Sequence, residues 1–149
     1  DSTPAMSSGK ITDFIVKDLK NKKHDFILVN LANPDMIGHT GNLIAGIKAC
    51  EVVGKNLKKI LSTVKKEKGI LIVVADHGNI EEMINKKTGE VSTQHTCNKV
   101  PFIIFDASDK KSLVLGKNGI LGNVAPTILD LMGIDKPIEM KLKTLIKNK

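Results

Sequence analysis

Acidic and imidazole side chains occur together after two of the apolar runs in this sequence. Asp35 and His39 lie four residues apart in NPDMIGHTG, and Asp76 and His77 are adjacent in VVADHGNIEE. A four-residue offset in a turn or nascent helix can aim both side chains at one point. Each segment follows an apolar run that is typical of a buried strand. These four side chains are therefore candidates for a shared binding site.

His95, in the polar loop STQHTCN, adds a third imidazole to the set. Carboxylate and imidazole together are ligands for Mn²⁺, Zn²⁺ or Fe²⁺, whereas Mg²⁺ and Ca²⁺ prefer oxygen ligands. Five ligands are too many for one catalytic metal that keeps an open position, and too few for two metals. Two-metal sites place the ions about 3.5–4 Å apart and clamp a displacement at phosphorus. The residue types thus indicate a metal centre and leave the number of ions open.

Each of these segments also has a purely structural interpretation. An Asp-His pair after a strand is more often a turn or a helix cap, and NPDMIGHTG alone fits a Pro-Asp turn before a capped helix. His95 alone fits an exposed loop histidine. His24, in KKHDF, has no partner pattern and is predicted to lie at the surface. For Cys97, a buried small residue or an exposed thiol is favoured over a soft metal ligand.

Strands and helices alternate around the candidate residues. Three apolar runs, FILVNL, ILIVVA and VPFIIF, predict strands at 26–31, 70–75 and 100–105. Apolar periodicity predicts a helix near the start, a long amphipathic helix after residue 41, and a last helix that is capped by Asn123 and ended by Gly133. Buried strands separated by helices predict an α/β fold with a largely parallel sheet flanked by helices. In such sheets, ligands bind beyond the carboxyl ends of the strands.

The amino-acid composition makes several classes of protein function less plausible. The chain has 149 residues, a single-domain length, and a formal net charge of +7. All 23 basic residues are lysines and aromatic residues make up 3%, so a solvated lysine surface is favoured over a nucleic-acid site, which uses arginine and stacking rings. No apolar run reaches about 18 residues and no secretory leader is recognised, so no membrane partner is expected. Two cysteines, Cys50 and Cys97, fit no disulfide framework, which favours a reducing cytoplasm.

Taken together, the segments resemble one family. NPDMIGHTG, ADHGN and QHTCNKVPFI resemble the metal-binding motifs of the 2,3-bisphosphoglycerate-independent (cofactor-independent) phosphoglycerate mutases of the alkaline phosphatase superfamily. PAMSSGKITD resembles the point where that family's phosphatase domain resumes after its inserted transferase domain, and GNVAPTILDLMG resembles its terminal helix. The resemblance implies an incomplete alkaline-phosphatase-like fold. Residues 1–149 would be the C-terminal segment of the metal-binding phosphatase domain, without the inserted phosphotransferase domain and the N-terminal nucleophile segment.

The resemblance also implies roles for individual residues. It assigns five metal ligands: Asp35, His39 and His95 for one Mn²⁺, and Asp76 and His77 for a second, with Mg²⁺, Co²⁺ or Zn²⁺ as substitutes. No catalytic residue is expected in this chain, because the family's nucleophilic serine lies upstream and its arginines bind phosphoglycerate from the inserted domain. The implied reaction interconverts 3-phosphoglycerate and 2-phosphoglycerate through a phosphoserine. The full-length enzyme is expected to be a cytoplasmic monomer of glycolysis and gluconeogenesis, and this chain alone is expected to be inactive.

Departures from the family pattern leave the ligands untouched. Cys97 and Lys99 stand where the family often has a small polar residue and a proline, and Ala5 replaces a frequent glutamate. Three alternatives remain open at this point. They are another phosphatase or phosphomutase of the superfamily, a stand-alone non-catalytic metal-binding module, and a lysine-rich nucleic-acid binder.

Overall fold

The computed structural model describes residues 4–85, 87–108 and 113–147. The chain divides into two compact units, Asp1–Asp109 and Lys110–Lys149. All five candidate ligands lie in the first unit. That both units belong to one phosphatase domain stays a prediction.

The first unit contains three helices: α1 (Ser8–Asn21), α2 (Asn33–Gly38) and α3 (Leu43–Lys66). The Asn42 side chain caps α3 by accepting a hydrogen bond from the Ala45 amide at 3.0 Å, which satisfies one of the free donors of the first turn. The core lies where Ile15 of α1 meets Ile60 and Val64 of α3. None of the described helices is both long and apolar enough to cross a membrane.

The buried face of α3 differs from the predicted one in the first part of the helix, whereas Val64, also predicted in the apolar stripe, is buried. The sequence pattern predicts that Leu43, Ile47 and Cys50 belong to the apolar stripe, but all three are exposed. The buried face instead runs through small residues such as Gly46 and Ala49. A Cβ atom at Gly46 would press on the side chains of Ile80 and Met83. The small residue therefore lets α3 lie close to the turn that follows the ADHGN segment, and the close approach decides which face is buried.

The sheet is small and its pairing differs from the prediction. Strands β1 (Ile70–Val74) and β2 (Phe102–Asp106) form an antiparallel pair in the register Ile70↔Asp106 to Val74↔Phe102. The predicted strands at 70–75 and 100–105 are thus present, but the parallel pairing is wrong for the described residues. A continuous apolar run shows that a strand has two apolar faces and does not encode the direction of its neighbour.

The predicted strand at 26–31 has no ladder partner among the described residues. Its backbone lies outside any helix or strand, and Leu28 is 83% exposed. Only Ile27 of this run packs against the core cluster. An apolar run becomes a strand when a neighbouring strand satisfies its N–H and C=O groups, and no described residue does so here.

The second unit contains α4 (Val124–Met132). As predicted, Gly133 ends this helix, in a left-handed conformation with φ 69°, which glycine adopts without a steric penalty. Asn123 precedes α4, but its side chain makes no capping bond to it. Instead its Oδ1 accepts from the Ile120 amide at 2.8 Å and its Nδ2 donates to the Lys143 carbonyl at 2.9 Å.

Candidate metal centre

Helix α2 places Asp35 and His39 on one face. Its first residue, Asn33, is buried and donates from Nδ2 to the carbonyls of Pro4 and Ala5 at 2.8 and 2.9 Å, which fixes the start of the helix. At the other end, the His39 amide donates to the Asp35 carbonyl at 3.1 Å. His39 Nε2 consequently lies 3.3 Å from Asp35 Oδ1. The predicted four-residue offset is realised as one helical turn.

His95 reaches the same point from a distant loop. Its Nε2 lies 3.3 Å from Asp35 Oδ1 and 3.2 Å from His39 Nε2. Two atoms that each lie about 2.1 Å from one ion are about 3.0 Å apart in an octahedral shell and about 3.4 Å apart in a tetrahedral one. The three atoms therefore have the spacing of neighbouring ligands around a single transition-metal ion.

The tautomer of His39 follows from its other ring nitrogen. His39 Nδ1 lies 2.7 Å from the carbonyl oxygen of Thr93. A carbonyl only accepts hydrogen bonds, so Nδ1 must carry the proton. In the neutral ring, Nε2 then keeps a lone pair that faces Asp35 and His95. This is the arrangement by which a backbone carbonyl orients a metal-binding histidine.

Asp76 and His77 follow β1 and lie beside this cluster without joining it. The His77 ring stacks on the His95 ring with centroids 3.7 Å apart, and His77 Nδ1 is 4.0 Å from Asp35 Oδ1. Asp76 is 77% exposed, and its Oδ2 is 3.6 Å from His77 Nε2. The group of possible metal ligands that forms among the described residues contains Asp35, His39 and His95.

With this geometry established, comparisons with known proteins place the chain in a family. Residues 1–136 match the Metalloenzyme superfamily. The chain belongs to the Metalloenzyme superfamily. Its relatives include a 2,3-bisphosphoglycerate-independent phosphoglycerate mutase 2 of Methanosarcina barkeri, 47% identical over 98% of this chain and 27% of the relative. A 2,3-bisphosphoglycerate-independent phosphoglycerate mutase of Clostridium kluyveri is 45% identical over 99% of this chain and 28% of the relative.

A solved structure supports the fold. A crystal structure of Leishmania mexicana phosphoglycerate mutase at low cobalt concentration superposes with a TM-score of 0.89 and 31% sequence identity, over 98% of this chain and 29% of that one. The predicted α/β class, an incomplete alkaline-phosphatase-like domain, and the similarity to cofactor-independent phosphoglycerate mutases are thereby confirmed. The chain spans between a quarter and a third of the length of these relatives.

The donor set of this Metalloenzyme superfamily member fits a metal ion. One carboxylate and two imidazoles suit Mn²⁺, Co²⁺, Zn²⁺ or Fe²⁺ better than an alkaline earth ion. Three acceptor atoms this close together repel one another, and a cation among them would relieve that repulsion further than the nearby Asn79 Nδ2 does. In addition, His77 Nδ1 is buried and has no hydrogen-bond partner among the described residues, and buried polar atoms are rarely left in that state.

Sequence reasoning missed two residues that support the superfamily motifs. Asn79, at the end of ADHGN, contacts Asp35 and His39. Glu81 accepts hydrogen bonds from the Thr96 hydroxyl, from Asn98 Nδ2 at 3.0 Å and from the Asn79 amide at 2.7 Å. These bonds, that from Thr96 foremost, lower the pKa of Glu81 to about 2. The position of Asn79 within the quoted motif was the available signal, whereas nothing in the local pattern distinguishes Glu81 from Glu82.

The structure also corrects the interpretation of His24. Its side chain lies at the surface as predicted, but it has a partner. His24 Nδ1 is 2.9 Å from Asp18 Oδ1 of α1. Cys97 is an exposed thiol, one of the two alternatives that the sequence favours.

Proposed function

We propose that this chain is the metal-binding part of a cofactor-independent phosphoglycerate mutase, which interconverts 3-phosphoglycerate and 2-phosphoglycerate through a phosphoserine. The observation that carries the proposal is the convergence of Asp35, His39 and His95 from α2 and a distant loop, in a chain whose relatives have that name. The chain spans 27% and 28% of two of those relatives. In the proposal, the nucleophilic serine and the groups that bind substrate belong to other parts of the enzyme.

The proposed ligand assignment divides the five residues between two Mn²⁺ ions. Asp35, His39 and His95 would hold one, and Asp76 and His77 would contribute to the second. Bound ions at such a site lower the pKa of a nucleophilic hydroxyl and neutralise charge on the oxygens of a transferring phosphoryl group. The exposure of Asp76 is consistent with an ion that takes its remaining ligands from outside this chain.

The residues of this chain orient the site. The Thr93 carbonyl holds the proton of His39 on Nδ1, so that Nε2 faces the ligand cluster. The carboxylates of Asp35 and Asp76 supply the negative charge that balances a divalent ion. Stacking between His77 and His95 links the two ligand groups at a ring separation of 3.7 Å. In the proposed enzyme these contacts hold the two ligand groups in fixed relative positions.

We expect the proposed full-length enzyme to act as a cytoplasmic monomer.

Metal binding by the 149-residue chain tests the assignment. Isothermal titration with Mn²⁺ at neutral pH is expected to detect one ion that depends on the triad. Asp35→Asn keeps the shape and removes the charge, and it should weaken binding more than about 100-fold, since a ligand contributes more than the roughly 10–100-fold of a supporting residue. The matched control is Asp13→Asn, because Asp13 is an exposed carboxylate paired with Lys59. Equal binding by wild type and Asp35→Asn would refute the assignment.

Activity assays test whether the catalytic nucleophile lies outside this chain. We expect no interconversion of the two phosphoglycerates, followed by ³¹P NMR, when the purified chain is supplied with Mn²⁺. In a longer enzyme that contains this chain, Asp76→Asn should abolish turnover, whereas Asp13→Asn should not change it. Turnover by the isolated chain, free of contaminating mutase, would show that it carries its own nucleophile.

A further inference from the structure

Asn79 lies between the candidate ligands and is almost completely buried. It is 5% exposed. Its Nδ2 lies 2.8 Å from Asp35 Oδ1 and 3.3 Å from His39 Nε2. A carboxylate only accepts hydrogen bonds, so the amide nitrogen rather than the amide oxygen must face Asp35. The two N–H groups of one side chain can therefore reach two of the three triad residues.

The backbone of α2 is built around this carboxamide. Gly38, which is buried, lies against the Asn79 side chain, and a Cβ atom at that position would collide with its Oδ1 and Cγ. Glycine between Asp35 and His39 thus leaves the space that the carboxamide fills. The contact requires residues in both of the segments that sequence analysis selects, NPDMIGHTG and ADHGN.

Glu81 extends the same contact to His95. Glu81 Oε2 accepts from the backbone N–H of Asn79 at 2.7 Å. Glu81 Oε1 accepts from the hydroxyl of Thr96, the residue that follows His95 in the chain. The Thr96 amide in turn donates to the Gly78 carbonyl at 2.8 Å. One carboxylate therefore ties the loop that carries Asn79 to the loop that carries His95.

We propose that Asn79 is a positioning residue that holds Asp35 and His39 in the geometry for binding a metal ion, and that Glu81 fixes Asn79 relative to the His95 loop. This inference rests on the metal role proposed above. Its physical basis is preorganisation: side chains that are already held in place lose less conformational entropy when an ion binds. Asn79 uses only one acceptor site of Asp35 Oδ1, so the remaining lone pairs of this carboxylate stay available to a cation. His39 Nε2 has a single lone pair, so its contact with Asn79 Nδ2 orients the ring before binding and is replaced by the ion.

Substitution of Asn79 tests the proposal. Asn79→Ala should weaken Co²⁺ binding, measured by titration calorimetry, about 10–100-fold, the range for residues that support metal ligands. The visible absorption spectrum of bound Co²⁺ should also change, because the ligands are no longer held at the same angles. Asn56→Ala is the matched control, since Asn56 Nδ2 donates to Ser8 Oγ at 3.0 Å, away from the candidate ligands. Asn56→Ala should leave the affinity for Co²⁺ within about twofold of the wild-type value.

A metal-free measurement separates positioning from general stability. In long-range ¹H–¹⁵N spectra, wild-type His39 should show the Nδ1–H tautomer, and its Nε2 resonance should shift in Asn79→Ala but not in Asn56→Ala. Should Asn79→Ala fail to fold, Thr96→Val, which removes a hydroxyl that Glu81 accepts from, provides the second variant and should weaken Co²⁺ binding several-fold.

The outcomes are distinguishable. If the wild-type chain binds Co²⁺, and Asn79→Ala binds it with the same affinity and the same spectrum, the proposed role of Asn79 is wrong and the proposed function is unaffected. No binding of Mn²⁺ or Co²⁺ by the folded wild-type chain overturns the proposed function, and the inference about Asn79 with it.

Discussion

Two Asp-His pairs in the first unit have similar contacts and different surroundings. Asp18 and His24 lie 2.9 Å apart, with the carboxylate 5% exposed and the imidazole 55% exposed. Asp35 and His39 lie 3.3 Å apart, and both are partly exposed. Close contact between an acid and an imidazole therefore does not distinguish a candidate metal site from a structural ion pair.

The difference lies in what else reaches the pair. His95 brings a third ligand atom to Asp35 and His39, and the Thr93 carbonyl fixes the His39 tautomer. Asp18 and His24 instead line an open surface groove whose apolar residues include Phe14 and Phe26. Convergence of a third donor from another segment separates a site from a pair. We infer that Asp35 and His39 bind a metal ion and that Asp18 and His24 stabilise the fold.

The largest expected effect is on the stabilisation of the chain by Mn²⁺, which should depend on the Asp35–His39 pair and not on the Asp18–His24 pair. Saturating Mn²⁺ should raise the Tm of the wild-type chain, because a ligand that binds only the folded state stabilises it by about 2.7 kcal/mol at 100 times its Kd. His39→Ala should lose this increment and His24→Ala should keep it. Differential scanning fluorimetry with and without Mn²⁺ makes the comparison. An equal loss in both variants would contradict the distinction between the two pairs.

In the metal-free protein, the Asp18–His24 pair should contribute more to the free energy of unfolding than the Asp35–His39 pair. His24→Ala leaves the Asp18 carboxylate buried without its partner, and we expect a loss of about 1–3 kcal/mol in the free energy of unfolding, towards the lower end because the imidazole is exposed to solvent. His39→Ala should cost less, because it relieves the crowding of three acceptor atoms, and the bond that it removes, from His39 Nδ1 to the Thr93 carbonyl, is exposed to solvent. Urea unfolding monitored by circular dichroism measures both. Greater destabilisation by His39→Ala would reverse the assignment of roles.

A third substitution asks whether the Asp35–His39 segment depends on the helix that follows it. Asn42→Ala removes the side-chain cap of α3 and should destabilise the chain by about 1 kcal/mol. Ser7→Ala is the control, because Ser7 occupies the corresponding position of α1 and makes no side-chain capping bond. Mn²⁺ affinity should stay within about threefold in both variants. A large loss of affinity in Asn42→Ala alone would show that the cap belongs to the site.

The smallest effect concerns pH. Hydrogen bonds, first from Thr96 and then from Asn98 and the backbone, lower the pKa of Glu81 from 4.5 to about 2 in the folded chain. A pKa that is lower in the folded state gives stability that is present above about pH 4.5 and is lost as the pH falls towards 2. The stability difference between wild type and Glu81→Gln should therefore shrink across this window. The exposed Glu90→Gln serves as control, and a difference that stays constant with pH would contradict the effect.

The sequence predicts the identity of the triad better than the structure around it. Asp35 and His39 could be paired from their spacing, and His95 was a candidate from its position in a polar loop. The motif resemblance then assigned all three to one ion, because these signals are local or carried by a family pattern. The contact between Asp18 and His24 crosses a helix end, where Lys22 has a left-handed conformation with φ 50°. No fixed residue offset describes such a turn, so the pairing was not predicted.

The errors in the sheet have a different origin. The runs at 26–31, 70–75 and 100–105 have similar composition, yet within the described part of the chain only the last two pair. Strand pairing depends on which backbone lies alongside, and composition does not specify that. In the same way, the buried face of α3 depends on how closely Gly46 lets it approach Ile80 and Met83. Both outcomes are set by contacts between segments far apart in the chain.

The exposed run at 26–31 has a practical consequence for handling the protein. FILVNL contains no charge and no proline, its residues lie outside any helix or strand, and Leu28 is 83% exposed. Short uncharged apolar segments of this kind pair readily with identical copies of themselves. Intermolecular β-pairing of this run should therefore promote association in concentrated samples.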